Sequence, residues 1–324
     1  MSFINNKKLQ TVFIENNKVT KIYVGNNLVY QEQITPTVEP YLTFSSPNSF
    51  TLSIVNNQKY WDGTLETSTD KTTWTTWSGT SAVSSASDGT NHNIYVRGIA
   101  NTYITGSSAS VSAGAWRLNG SNISISGDIE NLLDYATVQQ GNHPAKANGC
   151  YKALFGNSSL NSNITDVSNL KLSANNLATE EYRSMFTRAS GITVAPQLLA
   201  TIYGDYCCYS MFAYCTSLIT PAKMYDTHIG AHGCYYMYIN CSNLEKIPLI
   251  HATIIRTYGC SNMFRFCSNL KISETQSAEY LNEYYIPNAT IEQNALTGMF
   301  ALTGGTFGGT PTINTTYYTS NEVI

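Results

Sequence analysis

From residue 182 to residue 270 the apolar positions return every 26 residues. Met185, Met211, Met237 and Met263 keep that step, and each precedes an aromatic residue: Phe186, Phe212, Tyr238 and Phe264. Cys208, Cys234 and Cys260 are in phase, as are Cys215, Cys241 and Cys267, and Ile192, Leu218, Leu244 and Leu270. Thr201, Thr227 and Thr253 follow the same beat. Cys150 to Phe155 reads as a degenerate first copy, and Met299-Phe300 as a last one displaced by the insertion SAEYLNEYYIP. A period of this size belongs to architectures whose units bury their apolar side by stacking, each against its neighbours. Within one copy Cys208, Met211, Phe212 and Cys215 stand at i, i+3, i+4 and i+7, which predicts one face of a helix about two turns long. Leu244 to Ile250 reads as an extended return with a strand. The pattern predicts an α/β solenoid over residues 114–324, caps included.

Upstream the beat is different. Residues 1–33 alternate short β-forming runs with Asn-Asn and Gly-Asn turns, which predicts hairpins. Ile34 to Thr37 reads as a linker. Residues 38–113 carry β-forming runs at Leu42, Phe50, Trp74 and Asn93, separated by Asp-Gly and related turns, which predicts an all-β, Ig-like sandwich. Trp61, Trp74 and Trp77 read as its core rather than as platforms for sugars. Asp128 is placed to cap a short helix over Ile129–Tyr135.

Composition changes the picture at the surface. Apolar residues make up 42% of the 324-residue chain, enough for a core, but charged residues only 12%. The remainder is rich in Asn, Thr, Ser and 23 tyrosines, a neutral hydrogen-bonding surface suited to sugars and proteins. A net charge of −3 without a basic run argues against nucleic acid and anionic membranes. No apolar run has transmembrane length, so no membrane insertion is expected. The first residues lack a signal-peptide pattern. An outward-facing composition without an export signal fits a particle assembled in a cytoplasm and released by lysis.

The cysteines raise the question of chemistry. On a helix, Cys208 and Cys215 are about 10 Å apart, beyond the reach of a disulfide. Helices packed side by side at about 8–10 Å disfavour bridges between copies. Close pairs of zinc-ligand type are lacking, and the apolar face offers no activation of a thiol. Packing is the expected role of all of them. His228 and His232 are four apart, yet no third ligand accompanies them, so no metal is expected. Phosphate-binding and nucleophile motifs are not found, and no cofactor is expected. Asp62, Glu66 and Asp70, with Glu130 and Asp134, are the acidic groups available to a glycosidase; they read as turn residues and a solvated helix face.

The pattern M-F-x-x-C-[ST]-[SN]-L, clearest at Met211-Phe212-Ala213-Tyr214-Cys215-Thr216-Ser217-Leu218, resembles BspA-type leucine-rich repeats, which occur in bacterial surface proteins and in phage and prophage proteins. KIYVGNNLVY, WDGTLETSTDKTTWTTWSG, IYVRGIANTYITG, ISGDIENLLDY and the terminal GGTPTINTTYYTSNEVI resemble phage structural proteins. The resemblance implies a virion structural protein, a tail or head fibre, on the particle surface and without catalysis. Residues 1–33 would attach it to other virion proteins, the sandwich would act as spacer, and the repeats would face a host-surface glycan or protein. A homo-oligomer is expected. The candidate contact residues are Tyr203, Tyr206, Tyr209, Tyr225, Tyr235, Tyr236 and Tyr258, which flank the repeat motif off its apolar stripe. The alternatives are an architectural capsid-decoration or tail-collar protein and a glycan depolymerase.

Overall fold

Strict alternation of buried and partly exposed residues builds the two sheets that face each other in the sandwich. Leu42–Ser46 and Thr51–Ile54 each turn every second side chain inward. In the computed structural model of the chain, residues 39–105, 115–156 and 161–324 are described, together with the backbone of six short strands within residues 1–31. Those six pair as antiparallel hairpins, Phe3–Ile4 with Lys7–Lys8, Phe13–Ile14 with Asn17–Lys18, and Lys21–Val24 with Asn27–Gln31. The linker expected at residues 34–37 lies outside the described residues. Met1–Val38 and Glu39–Ile324 form two separate units.

The second unit is mostly β and holds several sheets. One runs in the order Thr75–Thr76, Thr64–Ser68, His92–Ile99, Leu42–Ser46, Ile123–Asp128, Leu170–Leu172, Gln197–Leu198. Facing it, Thr51–Ile54 pairs with Val83–Ser84 and with Trp116–Asn119. Trp61, Trp77 and Trp116 fill the space between, with ring centroids 5.3 and 5.4 Å apart. Trp74 lies outside this cluster, its ring covered by the Arg97 guanidinium at 3.9 Å.

The boundary expected after residue 113 falls inside this arrangement. Ile123–Asp128 is antiparallel to Leu42–Ser46 on one side and parallel to Ile164–Asp166 and Leu170–Leu172 on the other. The same strand therefore ends the sandwich and begins the parallel ladder. Asp128 does not cap the helix directly. The helix spans Asn131–Gln139, Glu130 occupies its first boundary position, and the Asp128 carboxylate accepts the Glu130 N–H at 3.0 Å. Gly98 lets the helix approach the sheet, since a Cβ there would lie 1.7 Å from the Leu132 carbonyl oxygen.

Beyond residue 170, segments 26 residues apart lie side by side. Asn176–Leu177, Ile202–Tyr203, His228–Ile229 and Ile254–Ile255 pair in parallel, residue on equivalent residue, and Thr290–Ile291 extends the series. The connecting stretches are not helices, which corrects the expected α/β character. Among the described residues Asn131–Gln139 is the only α-helix. In residues 206–214, alternate N–H groups donate to the next segment instead of back along a helix. Tyr206, Cys208, Ser210, Phe212 and Tyr214 reach the carbonyls of Ala231, Gly233, Tyr235, Met237 and Ile239 at 2.8–2.9 Å. The residues between them close turns onto carbonyls three positions back, as Met211 does on Cys208 at 3.1 Å. Every second turn places its third residue at positive φ: Tyr206 at 57°, Ser210 at 54°, Tyr214 at 63°. The result is a four-residue rhythm in which one adjacent pair points inward and the next outward.

The inward pairs make a continuous core. Phe155, Phe186, Phe212, Tyr238, Phe264 and Phe300 stack in one column, with neighbouring centroids 5.4–5.8 Å apart. Phe155 also touches Phe44 and Trp116 of the sandwich. At the other end Phe300 meets Tyr284, Phe307 and Tyr317. Tyr284 lies on the insertion strand Asn282–Ile286, which pairs with the tail strand Thr315–Thr319 and so closes that end.

Candidate functional site on the turn layer

The outward pairs form columns, because each segment repeats the rhythm of its neighbour. Glu180, Tyr206, His232, Tyr258 and Asn294 occupy one column, all at positive φ. Arg183, Tyr209, Tyr235 and Ser261 occupy the next in the same 26-residue phase. Ser184, Ser210, Tyr236, Asn262 and Gly298 occupy a third, again at positive φ. Three adjacent segments thereby gather five of the candidate tyrosines, Tyr206, Tyr209, Tyr235, Tyr236 and Tyr258, into one half-buried patch.

His232 is the centre of that patch. Its ring stacks on Tyr206 at 4.6 Å and on Tyr258 at 5.0 Å. Tyr209 stacks on Tyr235 at 5.3 Å, and Tyr235 and Tyr236 meet at 4.0 Å. The Arg183 guanidinium lies 4.8 Å from the Tyr209 ring and pairs with Glu180, which also holds Lys152 at 2.8 Å. Burial pushes the Tyr209 and Tyr235 phenols up and the His232 imidazole down, so these three rings are uncharged near pH 7. Tyr258 Oη accepts a hydrogen bond from Asn294 Nδ2 at 2.9 Å. The patch therefore presents ring edges and hydroxyl groups beside the charged Arg183–Glu180 pair. His232 and Arg183 did not figure among the candidate contact residues. The signal was available, since both keep phase with the tyrosines.

Two candidates fall elsewhere. Tyr203 is wholly buried, a correction to its assignment as a contact residue. It is the inward residue of Ile202–Tyr203, paired with Leu177 and Ile229 on the core side of the ladder. Tyr225 is 49% exposed and lines a separate cleft with Pro196, Pro221 and Lys223.

All eight cysteines are free and buried. Cys215, Cys241 and Cys267 donate their S–H to the carbonyls of Phe186, Phe212 and Tyr238 at 3.0–3.1 Å, each one segment back. Burial pushes these thiols up. The helix spacing used to exclude bridges between copies does not apply, because the segments sit at strand spacing. Within one segment the adjacent Cys207 and Cys208 sulfurs are 3.8 Å apart. His228 Nε2 accepts from Arg256 Nε at 3.3 Å on the strand layer, away from His232 on the turn layer.

The acidic candidates hold loops. Asp62 accepts the Thr102 N–H at 2.8 Å, and Asp70 accepts those of Thr72 and Thr73. Glu66 pairs with Arg97 at 2.7 Å, and Asp134 accepts the Thr137 hydroxyl at 2.6 Å. Glu130 is not a solvated residue. It is buried, with one oxygen 2.6 Å from His143 Nδ1. No family model, curated protein or solved structure matches the chain.

Proposed function

We propose that this chain is a non-enzymatic structural protein of a bacteriophage particle, a tail or head fibre that turns a solenoid of leucine-rich repeats toward the host surface. The 26-residue register of the parallel strands and the matching column of aromatic rings support the solenoid reading. Residues 1–33 attach the chain to other virion proteins, and the sandwich spaces the repeats from the particle.

One observation carries the attachment role. Tyr206, His232, Tyr236 and Tyr258 sit at positive φ, where a residue with a side chain costs about 1–2 kcal/mol. Other segments place Asn294, Ser210, Asn262 and Gly298 at the equivalent positions. The backbone therefore does not require rings there, and their concentration on three adjacent segments supports a binding surface rich in tyrosine.

The test exchanges each ring for a residue that the fold already accepts at that place: Tyr206→Asn, Tyr209→Ser, Tyr235→Ser, Tyr236→Asn and Tyr258→Asn together. Adsorption of the purified chain to host cells drops by about tenfold or more if the patch is the contact surface. Unchanged adsorption with an intact fold discards that role and favours an architectural part whose repeats contact other virion proteins.

A further inference from the structure

The closing pair at the far end leaves one strand edge open. Asn282–Ile286 is the outer strand of its sheet and pairs only with Thr315–Thr319. The register fixes which of its backbone groups are free. The Asn314 N–H donates to the Pro287 carbonyl at 3.4 Å, in step with the pairing of Tyr285 on Thr316 and Glu283 on Tyr318. In an antiparallel pair, residues that bond to the neighbouring strand alternate with residues that turn away from it. Glu283, Tyr285 and Pro287 therefore face Thr315–Thr319, and the N–H and C=O groups of Asn282, Tyr284 and Ile286 point outward. Among the described residues, no backbone hydrogen bond from outside that pair reaches these three. The edge carries no lysine, proline or bulge, and beside it Leu281 is 63% and Tyr285 43% exposed.

An open edge takes a strand, and this one is complementary to its own copy. Across a two-fold axis, only registers that set the outward-facing residues opposite one another make hydrogen bonds, so the choice is among shifts of two residues. With Tyr284 opposite Tyr284 of the second copy, the whole of Asn282–Ile286 overlaps. Asn282 then exchanges hydrogen bonds with Ile286, Glu283 stands opposite Tyr285, and Leu281 meets Pro287. The next register in one direction sets Glu283 against Glu283, a like-charge pair. The next in the other direction sets Asn282 against Asn288, past the end of the strand, and shortens the ladder.

We infer that two copies of this chain pair through Asn282–Ile286 into one continuous antiparallel sheet, with Tyr284 on the two-fold axis. A second copy satisfies every outward backbone group of the strand, brings no like charges together and covers the exposed Leu281. A single strand pair buries less than the roughly 1,200 Å² of a standard stable interface, so the affinity is on the order of micromolar. The pairing holds whether or not the turn-layer patch contacts a host surface.

Sedimentation velocity of the full chain from about 1 to 300 µM tests it, with Tyr285→Glu and Tyr285→Lys as variants. The fraction of dimer rises with concentration, and amide exchange over residues 282–286 slows in parallel. Tyr285→Glu faces Glu283 of the other copy with a like charge, twice by symmetry, whereas Tyr285→Lys faces it with an opposite one. The lysine variant therefore dimerises about tenfold or more tightly than the glutamate variant at low salt, and added salt narrows the difference. The side chain of Tyr285 is exposed, so the near-ultraviolet dichroism of both variants stays that of the folded parent. A monomer at every concentration overturns the inference and leaves the edge to a strand of another protein. Self-association that the two variants change equally, or not at all, also overturns it and places the contact elsewhere on the chain.

Discussion

At the scale of single residues, the interior is defined by small polar decisions. The thiols of Cys215, Cys241 and Cys267 do more than fill space, because each supplies a donor to a buried carbonyl of the neighbouring segment. A buried, protonated thiol is a poor nucleophile. The native chain is therefore expected to leave an aromatic disulfide reagent unreacted, and all eight cysteines to react once it is unfolded. Absorbance of the released thiolate counts them. Asp226 presents the opposite case. It is fully buried, its Oδ2 accepts the Ala252 N–H at 3.0 Å, and its Oδ1 has no partner. Burial raises its carboxyl from 3.8 to about 6. A folded pKa above the unfolded one means that the contribution is fully present below 3.8 and is lost as pH rises through about 6. The loss amounts to about 3 kcal/mol, at roughly 1.4 kcal/mol per pH unit. Asp226→Asn keeps an acceptor for Ala252 and removes the charge. Urea unfolding across this range is expected to show a smaller pH dependence in the variant and higher stability at neutral pH.

At the scale of elements, the turn layer shows why a helix was expected and why none forms. Burial at i, i+3, i+4 and i+7 satisfies a helical period of 3.6, and over two turns a period of four places the same residues inward. Cys208, Met211, Phe212 and Cys215 are buried in either geometry. The choice lies with the N–H groups, half of which go to the adjacent segment, a partner that local sequence does not reveal. That choice requires recurring positive φ at residues with side chains. Leu302 has φ 58° and is largely exposed, so it gives up little packing when replaced. Leu302→Gly is expected to raise stability by about 0.5–1 kcal/mol, the relief of strain reduced by the greater freedom of glycine in the unfolded chain. Denaturant midpoints with an unchanged slope check it.

At the scale of the whole molecule, one aromatic column joins the sandwich to the closing strands. Phe212 is at its middle, between Phe186 and Tyr238. Phe212→Ala is expected to cost about 3–5 kcal/mol. Glu39–Ile324 shares one core, so near-ultraviolet dichroism and tryptophan fluorescence, which report the segments and the sandwich, are expected to change in one transition for parent and variant alike. The far end depends on Asn321, whose side chain accepts the Lys271 N–H and donates to the Glu245 and Asn269 carbonyls at 2.8–3.0 Å. Asn321→Ala leaves these groups unpaired. It is expected to cost about 2 kcal/mol and to increase hydrogen exchange first at residues 269–273.

The sequence by itself determined the 26-residue phase, the inward residues of each segment and the β character of residues 39–105, because burial patterns are written in local composition. It also pointed to five of the six aromatic rings in the turn-layer patch. The tertiary structure alone decided that the connecting stretches are turns, that Ile123–Asp128 belongs to the sandwich and to the segments at once, and that Tyr203 faces the core. It also made the insertion and the tail a single closing pair. In each case the deciding hydrogen bond or contact joins residues far apart in the chain, and no local pattern records where a backbone group finds its partner.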